Sequence, residues 1–119
     1  WIDQIADAVS DQVPVILYAK APSDRLKLFS KSKVSGISVD HETDLKSARK
    51  SLPSGFTLQG NLNPALLESE PEIVKNTTLE LLNKMKGDPG HILNLGHGIR
   101  PQAKIDCMHA LVQTVREFN

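Results

Sequence analysis

The chain has 119 residues, 14 Lys and Arg balanced by 14 Asp and Glu, and a hydrophobic fraction of 39%, with one Trp, one Tyr and three Phe. That length holds one domain or part of one, and the cancelled charge leaves no basic surplus for a nucleic-acid backbone. The apolar content is that of a folded protein with an aliphatic core. The single Cys107 excludes an internal disulfide framework and a multi-thiolate zinc site, and points to a reducing, cytoplasmic compartment. No apolar run approaches the roughly 18 residues of a membrane-spanning helix. Trp1-Ile2-Asp3-Gln4 lacks the basic start of a signal peptide, so a soluble chain with no membrane partner is expected. The chain also opens on Trp1, inside what reads as a helix, which suggests a preceding segment.

In chain order, Ile2, Ile5, Ala6 and Val9 recur at helical spacing, and the helix ends before Pro14. Residues Val13 to Ala19 are continuously apolar and rich in β-branched side chains, the pattern of a strand covered on both faces. Ser23 is a candidate N-cap for a helix over Asp24 to Ser32. Gly36 to Val39 reads as a second strand ending at Asp40-His41. Thr43 is a candidate cap for a helix over Asp44 to Leu52. Phe56 to Gln59 is a third strand, and Gly60-Asn61-Leu62-Asn63-Pro64 breaks the pattern. Glu72 to Lys86 places Ile73, Val74, Thr77, Leu81, Leu82 and Met85 on one helical face. After the turn Gly87-Asp88-Pro89-Gly90, Ile92 to Leu95 is a fourth strand ending in Gly96-His97-Gly98. Residues 103–117 form a last helix with Ile105, Met108, Leu111, Val112 and Val115 as its stripe. Alternation of short apolar strands with helices implies four parallel strands joined by right-handed crossovers, an α/β fold.

In parallel sheets, ligands gather at the carboxyl ends of the strands. Those ends carry Lys20, Asp40 with His41, Gln59-Gly60-Asn61 and Gly96-His97-Gly98. Polar residues at strand ends also serve simply to meet water, and for Lys20, Asp40 and Gln59 the two readings weigh equally. His97 stands apart because two glycines flank it directly after an apolar strand, which lets the backbone approach a ligand closely. Its imidazole changes charge nearest to neutral pH and can donate to, or pair with, a carboxylate. The same loop could instead cradle a phosphate on backbone N–H groups. His91 reads as preceding the fourth strand at the opposite end of the sheet, and His109 as an ordinary surface residue of the last helix. His41 lies at the functional end, the direction of its side chain being a matter for the structure. Asp40, His41 and His97 lack metal-ligand spacing, and no metal site is expected. Cys107 reads as a small buried hydrophobe. No dinucleotide, Walker or nucleophile-elbow motif is present.

Two blocks, Phe56-Thr57-Leu58-Gln59-Gly60-Asn61-Leu62-Asn63-Pro64 and Ile92-Leu93-Asn94-Leu95-Gly96-His97-Gly98-Ile99-Arg100-Pro101, one β/α unit apart, resemble the C-terminal part of the uroporphyrinogen decarboxylase family. The likeness extends over essentially the whole chain. It departs at Asn63, where Asp is usual, and at Ala21-Pro22, where glycines usually follow the lysine. The resemblance implies the C-terminal portion of a (β/α)8 barrel that removes the four acetate carboxyl groups of uroporphyrinogen III to give coproporphyrinogen III in haem synthesis. It also implies a homodimer with no metal or organic cofactor. On this basis His97 matches the family's active-site histidine, while Gly96, Gly98, Asn61, Lys20 and Asp40 are candidate substrate contacts from their places at the strand ends. The family's other catalytic positions fall upstream of Trp1, and Tyr18 is not the family's tyrosine. A complete barrel is typically ~250 residues, so four strands are about half of one. The isolated chain is therefore expected to be a marginally folded, inactive fragment. Two other readings are a small α/β anion-binding or regulatory module without catalysis and a related cobamide-dependent methyltransferase barrel. The missing zinc-binding cysteines argue against the latter.

Overall fold

The computed structural model describes residues 1–18, 20 and 23–118. Four strands, β1 (Ile16–Tyr18), β2 (Gly36–Ser38), β3 (Thr57–Gln59) and β4 (His91–Ile92), lie in that order across one sheet. Every neighbouring pair is parallel. A parallel partner can be reached only by a crossover. Those crossovers carry a 3-10 helix (Ser23–Lys31), α2 (Leu45–Ser51), and a second 3-10 helix (Pro64–Glu68) with α3 (Pro71–Met85). Helices α1 (Ile2–Val9) and α4 (Ile105–Glu117) flank the sheet in sequence. The α/β architecture expected from the sequence is the one observed.

Strand side chains alternate between faces, and the two faces differ. Ile37, Val39 and Leu58 point to one side and pack with Leu26, Leu45, Ala48, Leu52 and Met85 in an aliphatic core. A second cluster, Leu62, Leu67, Val74, Cys107 and Leu111, joins the second 3-10 helix to α3 and α4. On the other face the register aligns Tyr18 with Ser38 and Ser38 with Gln59. Ile16, Tyr18, Ser38 and Gln59 there line a cavity of about 950 Å³ whose far wall is Met108, Leu111, Val112 and Val115 of α4. The radius of gyration, 15.0 Å, exceeds the roughly 13.5 Å expected for a compact domain of this length, in keeping with principal extents of 42 × 30 × 27 Å.

Several expectations need correction. β1 is not covered on both faces: Ile16 and Tyr18 are 39% and 48% exposed, because no second layer lies over their side of the sheet. The segment read as a helix over Asp24 to Ser32 is a 3-10 helix, Ser23–Lys31, in which Leu26 is buried in the core and Phe29 packs against it. Thr43 does not cap α2. Asp44 does, its carboxylate accepting from Ser47 N at 2.9 Å, while Thr43 turns back to Asp40. The break after β3 contains the second 3-10 helix, which Asn63 caps by accepting from Ala65 N at 3.0 Å. Asparagine thus supplies the side-chain oxygen that aspartate would supply there. His91 lies within β4, not before it. Ile73 and Ile105, placed on apolar stripes, are exposed, while Thr78 and Cys107 take buried positions on α3 and α4. Ala19, the predicted end of β1, and Ala21-Pro22 lie outside the described residues.

Two ion pairs tie the outer elements together. Arg49 of α2 donates from Nε to Asp88 at 2.7 Å and from Nη1 to the Phe56 carbonyl at 2.8 Å, fixing α2 to both turns that lead into β3 and β4. Lys84 of α3 donates to Asp44, and with the Ser47 N–H this holds the Asp44 carboxyl down at about 2. The pair is solvent-exposed and contributes about 1 kcal/mol or less. Because the folded-state value lies below the unfolded one of about 3.9, the contribution is present above pH 4 and is lost as pH falls towards about 2. Urea denaturation of the chain and of Asp44→Asn should therefore show a stability gap at pH 6 that narrows progressively below pH 4.

Candidate functional site

The carboxyl ends of β2, β3 and β4 converge through side chains that serve the backbone. Asp40, after β2, is buried, and its Oδ1 accepts from Glu42 N, Thr43 N and Thr43 Oγ1 at 3.1, 3.0 and 2.9 Å. Asn61, after β3, is buried as well. Its Nδ2 donates to the carbonyls of Asp40 and Thr43 at 2.7 and 2.6 Å, so both amide hydrogens are used. Gly60, which joins β3 to Asn61, has φ +139° and faces the Val39 carbonyl, where a Cβ would come within 3.0 Å. Only glycine holds that conformation readily. The Gly60 carbonyl in turn accepts from His91 Nε2 at 2.8 Å, which gives His91 a structural role inside the sheet.

The β3 to β4 pairing continues past the strands, with Leu62 N donating to Asn94 O at 2.9 Å and Gly96 N to Leu62 O at 2.8 Å. This extension brings the Gly96-His97-Gly98 loop down onto the Asp40 turn. A Cβ at Gly96 would lie 2.3 Å from the backbone nitrogen of His41 and 2.7 Å from its Cα. Glycine is required there by close approach alone. The loop leaves His97 exposed on the wall between two cavities. One is the 950 Å³ space over the sheet, and the other is a recess of about 260 Å³ lined by His41, Asn63, Pro64, Ala65, His97 and Arg100.

The candidates named from sequence therefore separate. His97 and Gly98 line the large cavity, and Gly96 seats the loop. Asp40 Oδ1 and Asn61 Nδ2 bond within the mount beneath it. Lys20 is exposed, 3.7 Å from Glu42, and lines neither cavity. His109 is exposed on α4, and Cys107 is fully buried, its thiol donating to the Ser69 carbonyl at 3.4 Å. Sequence reasoning passed over Ser38 and the row it completes: Gln59 Nε2 donates to Ser38 Oγ at 3.1 Å, and Tyr18 OH to Gly96 O at 3.4 Å. The signal was the period-two alternation, since the residues between apolar Leu17, Ile37 and Leu58 and the strand ends share one face. Among the described residues, no three His, Cys, Asp or Glu side chains are grouped to hold a metal ion. No helix among them is long and apolar enough to cross a membrane.

Comparison with known proteins places this geometry in a family. The profile of the family described as Uroporphyrinogen decarboxylase (URO-D) matches residues 1–118. The chain belongs to the uroporphyrinogen decarboxylase family. The uroporphyrinogen decarboxylase of Synechococcus sp. (strain JA-2-3B'a(2-13)) is 39% identical over 117 residues, covering 96% of this chain and 33% of the relative. That of Coxiella burnetii (strain Dugway 5J108-111) is 34% identical over 124 residues, covering 100% and 34%. That of Ruthia magnifica is 34% identical over 107 residues, covering 90% and 31%. The chain thus spans about a third of the length of these uroporphyrinogen decarboxylases.

The two glycines around His97 differ in what surrounds them, which separates packing from function. Gly96→Ala forces backbone against backbone and should cost about 1–3 kcal/mol. Gly98 has no atom within 4 Å of an added Cβ, so Gly98→Ala should change stability by no more than about 0.5 kcal/mol. Chemical denaturation of the two variants checks the contrast.

Proposed function

We propose that the chain forms the C-terminal third of a uroporphyrinogen decarboxylase and supplies one wall of its active site. The observation that supports this reading most is His97 standing on the cavity wall in a chain that matches the family along its length. The four parallel strands are a contiguous arc of a (β/α)8 barrel, and the face carrying Tyr18, Ser38 and Gln59 is the barrel's interior. Val112 and Val115 of α4 are exposed and line the same cavity as His97. The complete enzyme is a homodimer of the reducing cytoplasm, a setting in which Cys107 remains a thiol.

The reaction consumes one proton per acetate. Protonation of the pyrrole at the ring carbon next to the acetate-bearing one makes the ring an electron sink. The bond from the methylene to the carboxylate breaks, its electron pair enters the ring, and carbon dioxide leaves. A proton added to the methylene leaves a methyl group as the ring proton is returned. Such chemistry asks the protein for orientation and placed charge. His97 donates to a substrate carboxylate and fixes the ring relative to the sheet. Ser38 and Gln59, already bonded to each other, present a polar floor beside it.

A chimera tests the reading: this chain replaces the matching third of the Coxiella burnetii enzyme, and coproporphyrinogen formation is measured. Activity is expected, with His97→Asn lowering kcat/KM at least tenfold while the circular dichroism spectrum is retained. A folded chimera with no turnover would contradict the assignment, and an unaffected His97→Asn would reduce His97 to a turn residue.

A further inference from the structure

The smaller recess contains more basic chemistry than the single family histidine requires. His41 and Arg100 reach it from two different loops and meet His97 there. His41 is held by the whole mount described above: Asp40 closes its turn with three accepted hydrogen bonds, Asn61 ties both ends of that turn to β3, and Gly96 rests directly on its backbone. These contacts fix the His41 backbone, and its side chain is exposed beside the recess. Arg100 places Nη1 3.0 Å from Glu68 Oε1, a buried oxygen that meets no hydrogen-bond geometry of its own. That ion pair holds the guanidinium beside Glu68, and a guanidinium carries N–H donors on two further sides for other acceptors. Two imidazoles and a guanidinium around about 260 Å³ make a space sized for a small planar anion, for which a forked guanidinium is well matched.

We propose that His41, His97 and Arg100 form a carboxylate-binding recess that anchors one substituent of the substrate while the ring lies in the larger cavity. This rests on the decarboxylase reading for the origin of the carboxylate as a substrate side chain. His41 and Arg100 are positioning residues, acting on a carboxylate that does not itself react.

Histidine ring-proton NMR of the chain titrated with sodium acetate at constant pH and ionic strength tests this, because His109 on α4 and His91 within β4 are internal references. The His41 and His97 signals should move together along one saturating curve while those of His91 and His109 stay in place. His41→Gln and Arg100→Gln should each weaken acetate binding at least threefold, and His109→Gln should leave it unchanged. A His41 signal that stays still, four signals drifting in parallel, or unchanged affinity in both variants would overturn the proposal. Inorganic phosphate binding more than tenfold tighter than acetate would also overturn it, in favour of a phosphate site. The binding assay is independent of turnover. Paired histidine shifts with an inactive chimera would remove the decarboxylase reading alone, and an active chimera with a silent His41 would remove the recess alone.

Discussion

The side-chain amide of Asn61 is the contact on which the site depends. Buried between the end of β3 and the turn after β2, it donates to the Asp40 and Thr43 carbonyls at 2.7 and 2.6 Å. The Asp40 carbonyl also accepts from Thr43 N at 3.2 Å, so the amide adds a second donor there and supplies one to the Thr43 carbonyl, each hydrogen bond contributing about 1 kcal/mol to one position of the turn relative to the sheet. His41 inherits that position. The extended β3 to β4 pairing then delivers Gly96 onto the His41 backbone, and His97 emerges where the two loops touch. Nothing in this chain of contacts requires long side chains or strong charges. It relies on hydrogen bonds to the backbone and on one glycine too small to be replaced.

The sheet divides its labour by face. Leu58 and Ile37 hold the helices, and their neighbours Gln59 and Ser38 turn the other way and line the cavity. A parallel sheet places both roles in adjacent residues, so the structure can be stable on one side while the other is open. The apolar surface of α4 and the exposed Ile16 and Tyr18 of β1 border that open side.

Much of this was legible in the sequence, and the failures share a cause. The strands were visible because Ile37, Leu58 and Ile92 sit in short apolar runs, and His97 because two glycines follow such a run. Asp40 and Asn61 were placed at the correct end of the sheet, but the backbone-bonding work of Asp40 Oδ1 and Asn61 Nδ2 was not visible. A polar side chain at a strand end can face a ligand or bond the backbone, and for Asn61 the hydrogen-bond partners lie 21 and 18 residues away. Ser38 was invisible for the same reason: its significance comes from lying beside Gln59 and Tyr18 in register. His41 needed the close packing of Gly96 before its direction had meaning. Local pattern reports the element, and contacts between elements decide which polar group is free to act.

The central claim is that the hydrogen-bonded strand ends aim His97 into the space over the Tyr18, Ser38 and Gln59 row, where substrate binds. A crystal structure of the chimeric enzyme with its tetrapyrrole product bound tests that most directly. The account predicts a product carboxylate oxygen within roughly 2.7–3.2 Å of a His97 ring nitrogen, with the ring resting on the Tyr18, Ser38 and Gln59 face. A product held elsewhere, with His97 facing only solvent, would contradict it.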